Sequence, residues 1–180
     1  MENTPPPSDS GKNVADMSTR VFGGRFADLK TGIVVKHNVH DHGVMANVTD
    51  AFAEVEILNL SAFVVVSPGA MSSNVTVYLG WGHCEHSAPR DIAGMAQLPN
   101  FKVYHFSNGN ISSTDESSLI CSFSNSVSKF LKPIQLYGGR PSLFAYAQMI
   151  DEDGKLVNSV AAQLFYRATV RTSGADIVIV

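Results

Sequence analysis

The sequence has few cysteines, no long hydrophobic segment and no pattern of a secretory signal in its first residues, and each of these features restricts the class of protein that we expect. Two cysteines, Cys84 and Cys121, are too few for a disulfide scaffold, so we expect reduced thiols that serve as small hydrophobic residues in a cytosolic protein. No run approaches the roughly 18–20 apolar residues that span a bilayer. The first residues, MENTPPPSDS, lack the basic start and apolar core of a secretory signal. The sequence therefore predicts a protein without a membrane segment.

Positive charge is scattered along the chain. The 180 residues include 13 basic and 16 acidic side chains, with a net charge of −3, and the first twenty positions contain only Lys12 and Arg20 as bases. Proteins that bind nucleic acids tightly neutralise phosphates with clustered lysine and arginine. We therefore expect any RNA partner to be bound weakly by each chain, or only at a pH that adds positive charge.

Motifs for nucleophilic and phosphate chemistry are also missing. The sequence contains no Gly-x-Ser-x-Gly elbow, no Walker loop and no His-Glu-x-x-His. Two Gly-Gly-Arg repeats, at 23–25 and 138–140, do not open a helix after a strand and are interpreted as turns or bulges. No catalytic residue, metal site or cofactor is predicted, which favours a role other than catalysis.

The chain divides into an N-terminal arm and one domain. Residues 1–20 are rich in proline, serine, asparagine and aspartate without periodicity, which predicts a flexible arm. From residue 21 to residue 180, apolar runs alternate with turn residues, as expected for a single folded unit of this size. Eight of these runs predict strands, at 20–29, 31–39, 53–67, 75–81, 101–107, 117–124, 141–150 and 160–172.

Within these runs the apolar residues alternate as in half-buried strands. Val75, Val77 and Leu79 share one face of the fourth run, and in the third run Leu60 rejoins the buried face after a one-residue slip. Helical signal is confined to two short segments, 87–99 with Ser87 as its N-cap, and 125–133.

Eight strands without βαβ alternation predict an all-β fold, an eight-stranded antiparallel jelly-roll sandwich with one or two short helices. The immunoglobulin sandwich is disfavoured, because Trp81 lies just before Cys84 instead of midway between two cysteines.

The segment KHNVHDHG, residues 36–43, contains three histidines and an aspartate. On a continuous strand His40 and His42 would share a face, and such a pair can hold zinc, iron or manganese. Cupins use a pair of this kind followed by a metal-binding glutamate, which is absent after His42. A second interpretation is a set of solvent-exposed loop histidines. A third is a pH switch, since histidines titrate near pH ~6.5 and become cationic on mild acidification.

From about residue 52 to the C-terminus, the order and spacing of segments resemble the small coat proteins of tymoviruses and related icosahedral viruses. The segments that carry the resemblance are LNLSAFVVVSP, VYLGW, HSAPRDIA, FKVYHFSNGNISS, ICSFSNSVSKFLKP, QLYGGRPSLFAYAQ and LFYRATVRTSGADI. Residues 1–50, including the histidine segment, lie outside the resemblance.

The resemblance implies a structural protein of a plant RNA virus. Such a protein self-assembles in many copies into an icosahedral shell of T=3 type around single-stranded RNA, is part of the virion and is assembled in the host cytoplasm. It also implies a short arm that is not basic and RNA that is held loosely, partly through protonatable side chains. With RNA as the partner, the pH-switch interpretation assigns RNA contact to Lys36, His37, His40 and His42.

Two other classes stay open at this point. One is a small metal-binding jelly-roll enzyme of the cupin type, with His40 and His42 among its ligands. The other is a recognition sandwich, such as a carbohydrate-binding module, with Trp81, Tyr78 or Tyr137 as its stacking platform.

Overall fold

The structure, a computed structural model, describes residues 18–111, 121–122 and 141–175. Nine strands and two α-helices lie within these ranges. The strands are β1 (Ser18–Lys30), β2 (Val35–Asn38), β3 (Phe52–Val66), β4 (Asn74–His83), β5 (Lys102–Ser107), β6 (Asn110–Ile111), β7 (Cys121–Ser122), β8 (Pro141–Ile150) and β9 (Val160–Ala175). The helices are α1 (Gly43–Ala51) and α2 (Ile92–Met95).

The strands form two antiparallel sheets that enclose the core. The first sheet has the order β1-β9-β3-β7 and the second the order β2-β8-β4-β5-β6. From β1 to β4 the chain crosses between the sheets at every connection, and it does so again from β7 to β9. This strand order is that of a jelly roll, so the predicted all-β antiparallel sandwich is confirmed.

The core lies between the inner faces of the two sheets, where the sequence alternation places it. Val75, Val77 and Leu79 of β4 are at most 1% exposed, and Leu164 and Val170 of β9 are fully buried. Burying a side chain of this size is worth about 1.5–3 kcal/mol. The alternate residues of β9 point outward, which leaves that face of the first sheet polar and partly charged.

The slip predicted in the third run is a β-bulge. The register of β3 against β9 shifts between Ile57 and Asn59, and the extra residue returns Leu60 to the core, where it is fully buried. The predicted strand 31–39 is shorter in the structure, because Gly32 adopts a left-handed conformation (φ 82°) before β2 and a 3₁₀ turn begins at Val39.

The helices differ from prediction in two respects. The N-cap of α2 is Asp91, whose Oδ1 accepts a hydrogen bond of 2.8 Å from the Gly94 amide, so the assignment of Ser87 is wrong. Helix α1 was not predicted, since it begins with glycine and contains β-branched residues of low helix propensity. Burial of Met45 against the core stabilises it instead.

Several predicted segments lie outside the described residues. They are the helix at 125–133, the ends of the strand at 117–124 around β7, and residues 1–17 of the predicted arm. Residues 18–20, the last three of that arm, belong to β1 and pair with β9. Neither helix in the described ranges has the length and hydrophobicity that crossing a bilayer requires.

Candidate functional site

The histidine segment runs from a strand through a turn into a helix. His37 lies on β2, His40 lies in the 3₁₀ turn Val39–Asp41, and His42 is the N-cap residue of α1. The turn breaks the strand alternation, so the expectation that His40 and His42 share a face is wrong. Instead the rings of His37 and His42 come together, with their centroids 5.5 Å apart.

A phenylalanine from a distant strand completes this group. The ring of Phe26 on β1 lies 5.7 Å from His37, 4.7 Å from His42 and 4.6 Å from Tyr166 on β9. We call these four residues the Phe26 cluster. Phe26 is 6% exposed and both histidines are half-buried, so the solvent-exposed interpretation is wrong for these two histidines. The cluster joins β1, β2, β9 and the start of α1.

Burial opposes protonation of both histidines. Desolvation, with a smaller contribution from His42, lowers the pKa of His37. Desolvation also lowers the pKa of His42, although the nearby Asp41 carboxylate raises it in part. The Nε2 atom of His37 is buried and has no hydrogen-bond partner among the described residues. The two imidazoles of the cluster are therefore neutral near pH 7. Protonating them requires a pH below the ordinary histidine pKa of about 6.5.

The other two predicted contact residues point elsewhere. Lys36 lies on the opposite face of β2 from His37. Its ammonium group donates a hydrogen bond to the carbonyl oxygen of Cys84. The side chain of His40 is 14% exposed, and its Nε2 lies 3.2 Å from an oxygen of Asp41. The four predicted contact residues are thus close in sequence but do not converge on one point in space. They are Lys36, His37, His40 and His42.

The metal-site interpretation receives no support from the geometry. Across residues 18–111, 121–122 and 141–175, no three histidine, cysteine or acidic side chains are grouped so that they could hold an ion. His40 lies within the turn Val39–Asp41 and His42 follows it as the N-cap residue of α1, so the two histidines are not the alternating pair of one strand. The cupin-like enzyme therefore has no supporting observation in this structure.

The stacking-platform interpretation is wrong for Trp81. This side chain is fully buried, and its Nε1 donates a hydrogen bond of 2.9 Å to the carbonyl oxygen of Cys121. Tyr137 lies outside the described residues. Tyr78 is half-buried on the outer face of the second sheet, with its ring 5.9 Å from that of Tyr146.

Two cavities adjoin Tyr146 of this pair, and the sequence patterns did not predict them. One has a volume of about 270 Å³ and is lined in part by Ile33 and Leu156, and the other has about 360 Å³. Both are bounded by Gly32 and Tyr146. Leu156 is 76% exposed. In the sequence, the cavity that Leu156 lines is indicated only by the position of this leucine directly after DEDGK, a turn rich in acidic residues.

Solved virus structures share this fold over nearly the whole chain. The structure of Desmodium yellow mottle tymovirus matches with a TM-score of 0.72 and 15% identity, covering 97% of this chain and 88% of that chain. Turnip yellow mosaic virus matches with a TM-score of 0.71 and 11% identity, covering 91% and 96%. Tobacco necrosis virus matches with a TM-score of 0.66 and 9% identity, covering 89% and 97%. No protein-family model matches the sequence, and no curated protein is significantly similar to it.

These similarities define the fold as the jelly-roll sandwich found in those virus structures. The resemblance to tymoviruses, inferred from residues 52–180, is confirmed at the level of the fold. The match extends beyond that segment, since it covers 97% of the chain.

Proposed function

We propose that this chain is the coat protein of a small icosahedral RNA virus. One observation carries the proposal: the jelly-roll fold of this chain matches the fold of virus chains over almost their whole lengths. In the tymovirus case the match covers 97% of this chain and 88% of that chain. The role that follows is structural, and the protein belongs to the virion, with assembly in the cytoplasm of the plant host.

The partners in this proposal are further copies of the chain and single-stranded RNA. The net charge of −3 and the dispersed bases favour weak RNA binding by each subunit, so that many subunits hold the RNA together. The shell type we propose is T=3, and the N-terminal arm predicted at residues 1–20, without its last three residues, which pair in β1, adjusts to different positions in it.

Contact with RNA through Lys36, His37, His40 and His42 belongs to the same proposal. The lowered pKa values of His37 and His42 restrict this contact to acidic conditions, because only the protonated imidazole attracts phosphate. Binding of phosphate would in turn raise the pKa of each histidine that it touches. A pH-dependent RNA affinity that His37→Asn and His42→Asn abolish is the expected result, and an unchanged affinity excludes this contact.

Sedimentation of the purified full-length chain tests the proposal. With a subunit of 19.3 kDa, even the smallest icosahedral shell of roughly 60 copies weighs about 1 MDa. We expect particles at or above that mass, containing RNA that nuclease does not degrade until the particles are dissociated. A chain that stays monomeric or dimeric at every salt concentration and pH, with or without RNA, would contradict the proposal.

A further inference from the structure

We propose that the outer face of the second sheet is a docking surface for a second copy of this chain, which binds it through the outer face of its first sheet. The inference rests on the proposed function, since it assigns two of the surfaces that hold a shell together. It is argued from the exposure and charge of the two faces.

The outer face of the second sheet is open and carries no charged side chain in β4, β5 and β8; Lys36 of β2, opposite Phe144, shares this face, and its ammonium group donates to the carbonyl oxygen of Cys84. Near α2 this face is covered, because Leu98 packs over Gly80 of β4. Beyond that point the outward residues of β4, β8 and β5 are Asn74, Thr76, Tyr78, Tyr146, Gln148, Ile150, Val103, His105 and Ser107. These three strands thus form an area with tyrosines and without lysine, arginine, aspartate or glutamate, which is the composition of an interface centre.

Exposed aliphatic side chains extend this face along the two cavities beside Tyr146. Ile33 is 61% exposed and Leu156 is 76% exposed, and both line the cavity of about 270 Å³. Val103 across the sheet is 37% exposed. We call this surface, with Tyr78 and Tyr146 at its centre, the tyrosine face. Large aliphatic groups grouped in this way mark a surface that a partner covers.

The outer face of the first sheet is polar and partly charged overall, but it contains a patch of aromatic and aliphatic side chains. Phe63 on β3 and Phe165 on β9 are directly paired and stacked, with ring centroids 5.4 Å apart and an interplanar angle of 10°. Val65 is 47% exposed and Val21 on β1 is 62% exposed. We call this surface the phenylalanine face. It offers aromatic and aliphatic area to a partner.

Charge around the two faces is complementary. Three arginines point outward from the strands of the phenylalanine face, and two are neutralised within the chain, Arg25 by Asp28 and Arg171 by Glu56. Arg167 lies between Gly23 and Ser61 on the neighbouring strands, is exposed, and forms no ion pair with a described residue.

The tyrosine face is bordered by the opposite charge. The turn after β8 contains Asp151, Glu152 and Asp153 together with Lys155, and at the second cavity beside Tyr146 the base Arg90 lies with the acid Asp91. The carboxylates of Glu152 and Asp153 are exposed and form no ion pair with a described residue. We assign Arg167 of one copy to this acidic turn of the next. The charges fix the orientation in which the two faces meet.

Symmetry selects a second copy as the partner. The two faces lie on opposite sides of one sandwich and differ in shape and charge, so each copy can bind one neighbour on either side. Such head-to-tail contacts close into rings when the rotation between copies permits. A closed shell requires rings of this kind, whereas a self-complementary patch would stop at a dimer.

Charge exchange within one chain tests the assignment. Arg167→Glu alone and Glu152→Arg/Asp153→Arg alone each place like charges in contact, and each should raise the protein concentration needed for assembly by about tenfold or more. A chain with all three substitutions carries the complementary pair in reverse and should assemble at a concentration close to that of the unmodified chain. Sedimentation velocity measures the assembled fraction, and circular dichroism checks that each variant is folded.

Three outcomes separate the possibilities. Restoration in the triple variant supports the docking assignment. Assembly that the single exchanges do not weaken, or that the triple variant does not restore, overturns it and leaves the coat-protein proposal intact. An unmodified chain that never assembles overturns both. Leu156→Lys is an independent variant at a 76% exposed position, and full assembly of this variant also counts against the tyrosine face.

Discussion

Replacement of Phe26 by alanine should both destabilise the subunit and release its histidines. The side chain is 6% exposed and lies at the junction of β1, β2 and β9, so its removal opens a cavity among the rings of His37, His42 and Tyr166. Removing a buried phenylalanine costs about 3–5 kcal/mol of unfolding free energy. A domain that is stable by about 5–15 kcal/mol retains a folded population after this loss.

The assay has two readouts on dissociated subunits. Urea unfolding should show a midpoint lower by about 1–5 M, given a slope of about 1–3 kcal/mol per molar urea. Histidine titration by NMR should show the pKa values of His37 and His42 rising towards about 6.5, because water replaces the phenyl ring and relieves their desolvation.

Val21→Ala is the matched control for this experiment. Val21 is on the same strand as Phe26 and is 62% exposed, so its loss should change stability by less than about 0.5 kcal/mol. The reasoning is refuted if Phe26→Ala costs no more than Val21→Ala. It is equally refuted if Phe26→Ala destabilises the subunit and both histidine pKa values stay lowered.

Three further predictions follow from burial and close contacts. Below pH ~6.5, His37 and His42 become protonated in the unfolded chain, whereas in the folded chain their lowered pKa values keep them neutral to a lower pH. The free energy of unfolding should therefore fall as the pH decreases. Urea titrations from pH 7 to 5 measure this fall, and a double asparagine variant with the same pH dependence would contradict it. Gly23→Ala should cost about 1–3 kcal/mol in thermal unfolding, since a Cβ there lies 2.6 Å from the carbonyl oxygen of Tyr166. Gly43→Ala meets nothing within 4 Å and should be close to neutral, and equal effects at the two glycines would refute the packing argument. Cys121, buried and with its pKa raised to about 12, should resist alkylation at pH 8 until the chain unfolds, and rapid labelling of the native protein would show that this burial is wrong.

The sandwich was predictable because apolar and polar residues alternate clearly, with a period of two, along its strands. Val75, Val77 and Leu79 alternate with polar or outward residues, and the structure buries all three. Even the bulge in β3 was visible as a slip before Leu60. Helix α1 was not predictable in this way, because its stability comes from tertiary burial of Met45 and not from local propensity.

The candidate site was harder to predict because its members come together only in three dimensions. His37 and His42 meet since a 3₁₀ turn lies between them, and nothing in the local pattern indicates that turn. Phe26 and Tyr166 join them through the pairing of β1 with β9, about 140 residues apart along the chain. The same limit concealed the tyrosine face, which draws on three strands and two loops.

Cryo-electron microscopy of the purified full-length chain tests the central claim most directly. The account predicts closed spherical particles with icosahedral symmetry, built from jelly-roll subunits whose sheets have the strand orders β1-β9-β3-β7 and β2-β8-β4-β5-β6. Micrographs that show only isolated subunits or small oligomers, across the range of pH and salt in which the chain is folded, would contradict the coat-protein assignment.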